Sequence, residues 1–376
     1  MRVYGRACVH DFLGSFIVYR NLVPIDRRLP GLSEVREELG IPLGVTPRKS
    51  SPEYARVVAQ IIERAQELRG ETEPIVRLLY IGDTRVNDGT AFVSLLTSGK
   101  WNGAAFIASE TTEPEETHVE GGNGATILLS NRWSALDGFE GFCRANGIRI
   151  DERTAVVIDL DKTALGARGR NDHVIDEARL QAIRMTIREL LGDRFNEAMF
   201  QADYNRLNQP RYHPFTTDNQ DYLAYICLML HSVAIKSDPF FDALDGGKLQ
   251  RFTQFISLMD AHEGDLSPTL RQVHHSVESA LSQGNPTPFV NFRHNEYLIT
   301  VEKMGSLPDT TPVERLLQEE IVITREVMQV AQCSRDSGAF LFGLSDKPDE
   351  ASLPTEELAL QGYLPIHATM THVIGG

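Results

Sequence analysis

Ala155-Val156-Val157-Ile158-Asp159-Leu160-Asp161-Lys162-Thr163 is the stretch on which the reading of the chain turns. Four small or β-branched apolar residues run straight into a carboxylate, a second carboxylate follows two positions on, and a threonine stands two positions beyond that. A short continuous apolar run such as Ala155 to Ile158 reads as a fully buried strand. Asp159 then stands at its C-terminal end, where open α/β sheets place their ligand crevice. The chain turns after Asp161, and Gly166 and Gly169 mark the loop beyond.

Two carboxylates so placed suit phosphoryl transfer. Asp159 is positioned to attack phosphorus and form an aspartyl-phosphate. Asp161 can protonate the leaving oxygen and later deprotonate a water. Magnesium would hold the phosphate and offset the repulsion between the anions, and the Thr163 hydroxyl would shape the loop. Asp-Leu-Asp-Lys-Thr after a buried strand resembles the first motif of the haloacid dehalogenase-like hydrolases, Asp-x-Asp-x-Thr. The resemblance implies a Rossmann-like, doubly wound parallel sheet, an aspartyl nucleophile and Mg2+, and most members are phosphatases. The dehalogenases lack the second aspartate, so Asp161 argues against halide chemistry. Ala164 departs from the family, which usually has a larger apolar residue there. The bland reading is a strand end with two solvated acids.

At 376 residues the chain is long enough for two substantial cores. Its formal net charge of −15 disfavours a nucleic-acid backbone or an anionic membrane as partner. Cys8, Cys143, Cys227 and Cys333 are far apart in sequence, which argues against a zinc pair, a redox pair or a disulfide framework. No secretory leader pattern stands at the N-terminus, and the apolar run near Leu223–Leu230 is too short to span a bilayer. A cytoplasmic protein is the expectation, with oligomeric state open.

The N-terminal half carries its own α/β pattern. Ala7 to His10 reads as a short strand ending at Asp11, and Asp11-Phe12-Leu13-Gly14-Ser15 resembles a worn first motif in which Leu13 replaces the second aspartate. Ile41 to Val45 reads as a strand ending at Thr46. Lys49 precedes an amphipathic helix with Val57, Val58, Ile61 and Ile62 at helical spacing. Leu78 to Ile81 is a strand, followed by Gly82-Asp83-Thr84-Arg85-Val86-Asn87-Asp88, whose Asp83 and Asp88 offer carboxylates to a cation. Gly-Asp with a further Asp is similar to the family's fourth motif, and Lys49 to its third-motif lysine, which neutralises phosphate and nucleophile. Residues 110–124 read as an exposed acidic loop.

Beyond the central strand, residues from about 170 to 285 read as a helical insert that resembles the family's cap. Leu223–Ile235 reads as a helix buried all round. For His231, His274 and His275, core and surface positions explain the sequence better than metal binding. Phe289–Val301 looks strand-like, with Arg293 and His294 as possible contacts to a substrate anion, and a helix is expected over 313–332. The strand Ala339–Phe342 leads into Gly343-Leu344-Ser345-Asp346-Lys347-Pro348. This string fits a fourth motif with Asp346 near the metal, or a second motif in which Ser345 contacts the phosphate.

Two arrangements follow. In the favoured one, two related lobes stand in tandem: a degenerate lobe over 1–150, and an intact lobe over 151–376 with Asp159, Asp161 and Asp346 as metal ligands. In the other, one circularly permuted domain runs Lys49, Asp83, Asp159, Ser345, and Asp83 completes the metal site. Permutation is allowed physically because domain termini often lie close together. The expected function is magnesium-dependent hydrolysis of a small phosphate monoester. The alternative is a non-catalytic ligand-binding or interaction module on the same scaffold.

Overall fold

The computed structural model describes residues 1–71, 73–122, 124–232 and 235–376. Position 123, in the expected acidic loop, and positions 233 and 234, in the expected buried helix, lie outside the described residues. The chain forms two compact units, one from residues 1–178 and 300–376, the other from 179–299.

Among the described residues the first unit holds ten strands: β1 (Arg2–Ala7), β2 (Ile17–Val18), β3 (Arg77–Gly82), β4 (Asn102–Ala108), β5 (Thr117–Gly122), β6 (Ala125–Ser130), β7 (Thr154–Asp159), β8 (Ile323–Thr324), β9 (Phe340–Leu344) and β10 (Thr371–Gly375). Seven of them form one sheet in the order β2-β9-β7-β3-β4-β6-β5, parallel throughout except for β5 against β6. β1, β10 and β8 form a separate small sheet. The run that opened the sequence reading is β7, buried at every position and flanked on both sides. Its alternate residues serve two packed faces. Ala155 and Val157 join Leu78, Tyr80, Phe340 and Phe342 in one cluster with Val57, Val58, Ile61 and Ile62 of the helix Pro52–Leu68. On the opposite face Phe106 packs its ring 6.3 Å from Trp133 and 5.9 Å from Phe139. Helical segments therefore cover both faces, which is why the middle strands read as continuous apolar runs and not as alternating ones.

The expected division near residue 150 does not occur. β3 and β4 come from before it, β7 and β9 from after it, and they interleave in one sheet with one shared cluster. Asp11 takes no part in that sheet. It sits in the short helix His10–Leu13, and its carboxylate accepts from the Cys8 amide at 2.8 Å, a local turn bond that explains the residue without any motif. Residues 41–45 form no strand, whereas 117–122 of the expected loop do, as the edge strand β5. The helix expected over 313–332 is broken in two, Val313–Glu319 and Arg325–Asp336. The break falls at Glu320, a fully buried carboxylate that accepts from the Leu307 amide and binds Thr371 and His372, so it is drawn into the small sheet.

The second unit, 179–299, is helical, and its bounds differ from the expected 170–285. The helix Gln220–His231 is buried at every residue from Leu223 to His231, matching its all-round apolar sequence. Phe289–Val301 is a helix, Val290–Glu302, and not a strand. Phe289, Phe292, Arg293, Glu296 and Thr300 are buried, a 3–4 residue spacing that the sequence hides because two of them are charged. Arg293 is held by Asp221, with Nε at 2.9 Å, and by Glu296 at 2.5 Å, and Arg179 reaches Glu296 at 3.1 Å. It is therefore an internal counter-ion. Arg293→Met leaves two buried carboxylates under-compensated, and we expect a loss of about 3–5 kcal/mol of stability for this unit. Urea unfolding checks this, and a variant within 1 kcal/mol of wild type would refute it. His274 is also internal, its ring nitrogens paired with Tyr225 at 2.5 Å and Asp260 at 2.8 Å. Among the described residues no helix is long and apolar enough to cross a membrane.

Candidate functional site

The site is built at the C-terminal ends of adjacent strands. β7 ends on Asp159, only 4% exposed. The next residues fold into a tight turn in which the Ala164 amide donates to the Asp159 carbonyl at 3.2 Å and Lys162 takes φ 64°. That turn brings the buried Thr163 hydroxyl to 3.0 Å from Asp159 Oδ2, where it donates and fixes the carboxylate plane.

β3, on one side of β7, ends at Gly82 and delivers Asp83. Asp88, in the first turn of the helix Asn87–Gly99, folds back over this strand end. Its Oδ2 accepts from the amides of Asp83 and Thr84 at 2.9 and 2.8 Å, and its Oδ1 from the Tyr80 hydroxyl at 3.1 Å. A Cβ at position 82 would lie 2.6 Å from the Asp88 Cβ, so only glycine permits this approach. Lys49, just ahead of the Ser51-capped helix Pro52–Leu68, reaches in from the cluster side of the sheet. Its Nζ donates to Asp88 Oδ1 at 2.7 Å and to Asp159 Oδ1. Asp83 in turn pairs with Arg168.

Asp83, Asp88 and Asp159 thus offer carboxylate oxygens that all lie within 4.8 Å of one another, and all three residues are buried. Three acids face two cations, and the protonation equilibria show the imbalance. Burial, then the charges of Asp159 and Asp88, push the Asp83 carboxyl up to about 9, with Arg168 opposing. Burial raises Asp159 to about 7, with Lys49 opposing. Asp88 is buried too, but Lys49 and the hydrogen bonds around it hold it below the usual carboxylate range. Burial works against the Lys49 charge, yet Asp159 and Asp88 hold its pKa well above the ordinary lysine value. A divalent cation among these oxygens would replace proton binding as the means of neutralising the excess acid.

β9, on the other side of β7, delivers Ser345. Ser345 is 1% exposed, and its Oγ accepts from the Lys347 amide at 3.1 Å. Asp161 and Ser345 line one small cavity. Asp346 does not join the carboxylate group: its side chain is half exposed and lies 4.0 Å from Arg20 Nε. The expectation that Asp346 ligates the metal is therefore corrected. Asp346 and Asp83 follow strands on opposite sides of β7, and only Asp83 turns toward Asp159. Asp161 likewise stands outside the three-carboxylate group, on the cavity side.

The sequence did not single out Arg168. It lies in the loop marked by Gly166 and Gly169, and its backbone carbonyl is fixed by Trp133 Nε1 at 3.1 Å and by the Glu110 amide at 2.9 Å. A basic residue between two loop glycines was the one available signal. In the helical unit, Asp260, His274 and Glu278 also bring ligand-type atoms within 4.8 Å of one another, although Asp260 is exposed. No family model, curated protein or solved structure matches this chain.

Proposed function

We propose that the protein is a magnesium-dependent hydrolase of small phosphate monoesters, built on a circularly permuted haloacid dehalogenase-like domain. The observation that carries this reading is the convergence of Lys49, Asp83, Asp88 and Asp159 at adjoining strand ends of one sheet. Two further motif residues, Thr163 and Ser345, stand at the ends of the same central strands. Read in chain order, these are the third, fourth, first and second motifs of the family, the order a permuted domain requires.

Asp83, Asp88 and Asp159 would hold the cation, whose octahedral demand for oxygen suits clustered carboxylates. When bound, Mg2+ supplies charge neutralisation for the phosphate and the acids around it. The chain's own groups do the rest. An Asp159 oxygen attacks phosphorus as the bond to the leaving oxygen breaks, and Asp161 gives that oxygen its proton. Water then attacks the aspartyl-phosphate, Asp161 takes the proton, and the Asp159–phosphorus bond breaks to release phosphate. Thr163 keeps the Asp159 carboxylate in plane, Lys49 offsets its charge, and the Ser345 hydroxyl donates to a phosphate oxygen.

The test is phosphate release from a panel of short aliphatic, sugar, nucleotide and aryl monoesters, with and without Mg2+. Turnover of at least one ester that needs Mg2+ and is lost with EDTA is expected. Tight ligand binding without turnover across the panel would instead favour a non-catalytic binding module.

A further inference from the structure

Arg168 has a fixed backbone and a side chain that shares a carboxylate with the candidate metal site. Its amide donates to the Lys162 carbonyl at 2.8 Å, and its carbonyl accepts from Trp133 Nε1 at 3.1 Å and from the Glu110 amide at 2.9 Å. A Cβ on the next residue, Gly169, would lie 1.8 Å from the Glu110 carbonyl oxygen, so the loop is packed there backbone to backbone. The side chain is therefore rooted on the turn that follows Asp159, and its tip pairs with Asp83 at the end of β3. A guanidinium carries several N–H donors in a planar fork, the shape that grips a phosphate by two bonds at once. Among the described residues Asp83 is the one acceptor this fork holds, through Nε, and a third of the side chain is open to solvent. Lys49 is placed differently: it is buried and already bonded to Asp88 and Asp159, which leaves little of its ammonium for a phosphate.

We propose that Arg168 exchanges Asp83 for the substrate phosphate when a divalent cation takes Asp83, and so binds the phosphate from the β3 side as Ser345 does from the β9 side. This rests on the phosphohydrolase reading above, which supplies both the cation and the phosphate. Two cations on one carboxylate repel each other, and a phosphate dianion offers the displaced guanidinium a bidentate acceptor. Before loading, Arg168 compensates an excess carboxylate. After loading, the same charge is a ligand for the substrate, and the pinned backbone keeps it within reach of both.

Calorimetric titration of the full-length protein reads the two halves separately. Arg168→Met removes the competing cation, so Mg2+ alone should bind roughly 3–30-fold more tightly. Inorganic phosphate titrated into the Mg2+-saturated variant should bind roughly 10–100-fold more weakly, and KM for any ester turned over should rise with it. Arg168→Lys keeps the charge without the fork, so its Mg2+ affinity should stay near wild type while its phosphate affinity still falls. Should Arg168→Met not fold, the lysine variant decides, and wild-type phosphate affinity in it overturns the inference. If both ligands bind Arg168→Met more weakly, Arg168 only orients Asp83 and the inference is wrong. If wild type turns over esters and Arg168→Met matches it in both affinities, the inference falls alone. If the opposite shifts appear but wild type hydrolyses no ester of the panel, the hydrolase reading falls and the exchange stands. If wild type binds neither Mg2+ nor phosphate, both fall.

Discussion

Asp159→Asn should reduce Mg2+-dependent phosphate release by a factor on the order of 10⁴–10⁶, with no loss of fold. The kinetic part follows from chemistry. A carboxamide oxygen is too weak a nucleophile to form the phosphoryl-enzyme, so the covalent route closes, and a group that acts within a concerted set takes most of the rate with it. The structural part follows from geometry. The asparagine oxygen still accepts from the Lys49 ammonium, and its amide N–H donates to the Thr163 hydroxyl oxygen where the carboxylate had accepted. The substitution also removes a carboxyl that burial has already pushed up to about 7, so only part of a charge is lost near neutral pH in metal-free protein. Phosphate release and thermal unfolding, measured on the same preparations, check both halves. Full Mg2+-dependent activity in the variant would remove Asp159 from the nucleophile's role.

The second large effect is expected at Lys49. Lys49→Met deletes the cation shared by Asp88 and Asp159, both nearly inaccessible to water. Breaking a buried pair by removing one partner typically costs about 3–5 kcal/mol. The loss should depend on pH in a defined direction. In wild type, Asp83 and Asp159 keep protons up to about 9 and about 7, whereas the unfolded chain releases them near 4. Their contribution is therefore fully present below about pH 4 and declines as pH rises through 7 and 9. Asp88 acts oppositely, since its lowered value contributes stability above its unfolded value and loses it as pH falls through the folded one. Without Lys49, Asp88 joins the raised group and the decline steepens. The variant should lie closest to wild type near pH 5 and furthest below it near pH 8, and Mg2+ should narrow the gap at pH 8. Denaturant melts at the two values, with and without Mg2+, measure this. A gap that does not change with pH would show that Lys49 acts through packing alone.

Local pattern sufficed for some of this architecture. The run Ala155 to Ile158 was unambiguous because every side chain is apolar and short, and that is what a strand covered on both faces requires. Val57, Val58, Ile61 and Ile62 were equally plain. Asp159 and Asp83 stood out because each closes an apolar run, and Asp88 because it follows Asp83 by a short polar turn. What sequence could not convey is which strands lie beside β7. It has two neighbours, and the tandem reading favoured Asp346 over Asp83, whereas the turn after β9 sends Asp346 toward Arg20. Asp11 misled because a carboxylate after a short apolar run also serves as a turn cap. Phe289–Val301 misled because Arg293 and Glu296, which neutralise buried charge, occupy the positions where an apolar stripe would have revealed a helix. Arg168 carries only a faint local signature, a basic residue between two loop glycines, because it matters through a partner 85 residues away.

The central position of β7 also fixes an order of events during synthesis. Its partner β3 has already left the ribosome when β7 is made, but β9 is encoded far downstream, after the whole helical unit. At ordinary elongation speeds the nascent chain waits roughly 10–40 seconds for that strand. Throughout that interval one edge of a strand whose middle, Ala155 to Ile158, is wholly apolar has no partner, and Ser345 is not yet made. The strands that carry Asp83 and Asp159 are therefore made well before β9, and until β9 is made the open edge of β7 is free to pair with other chains.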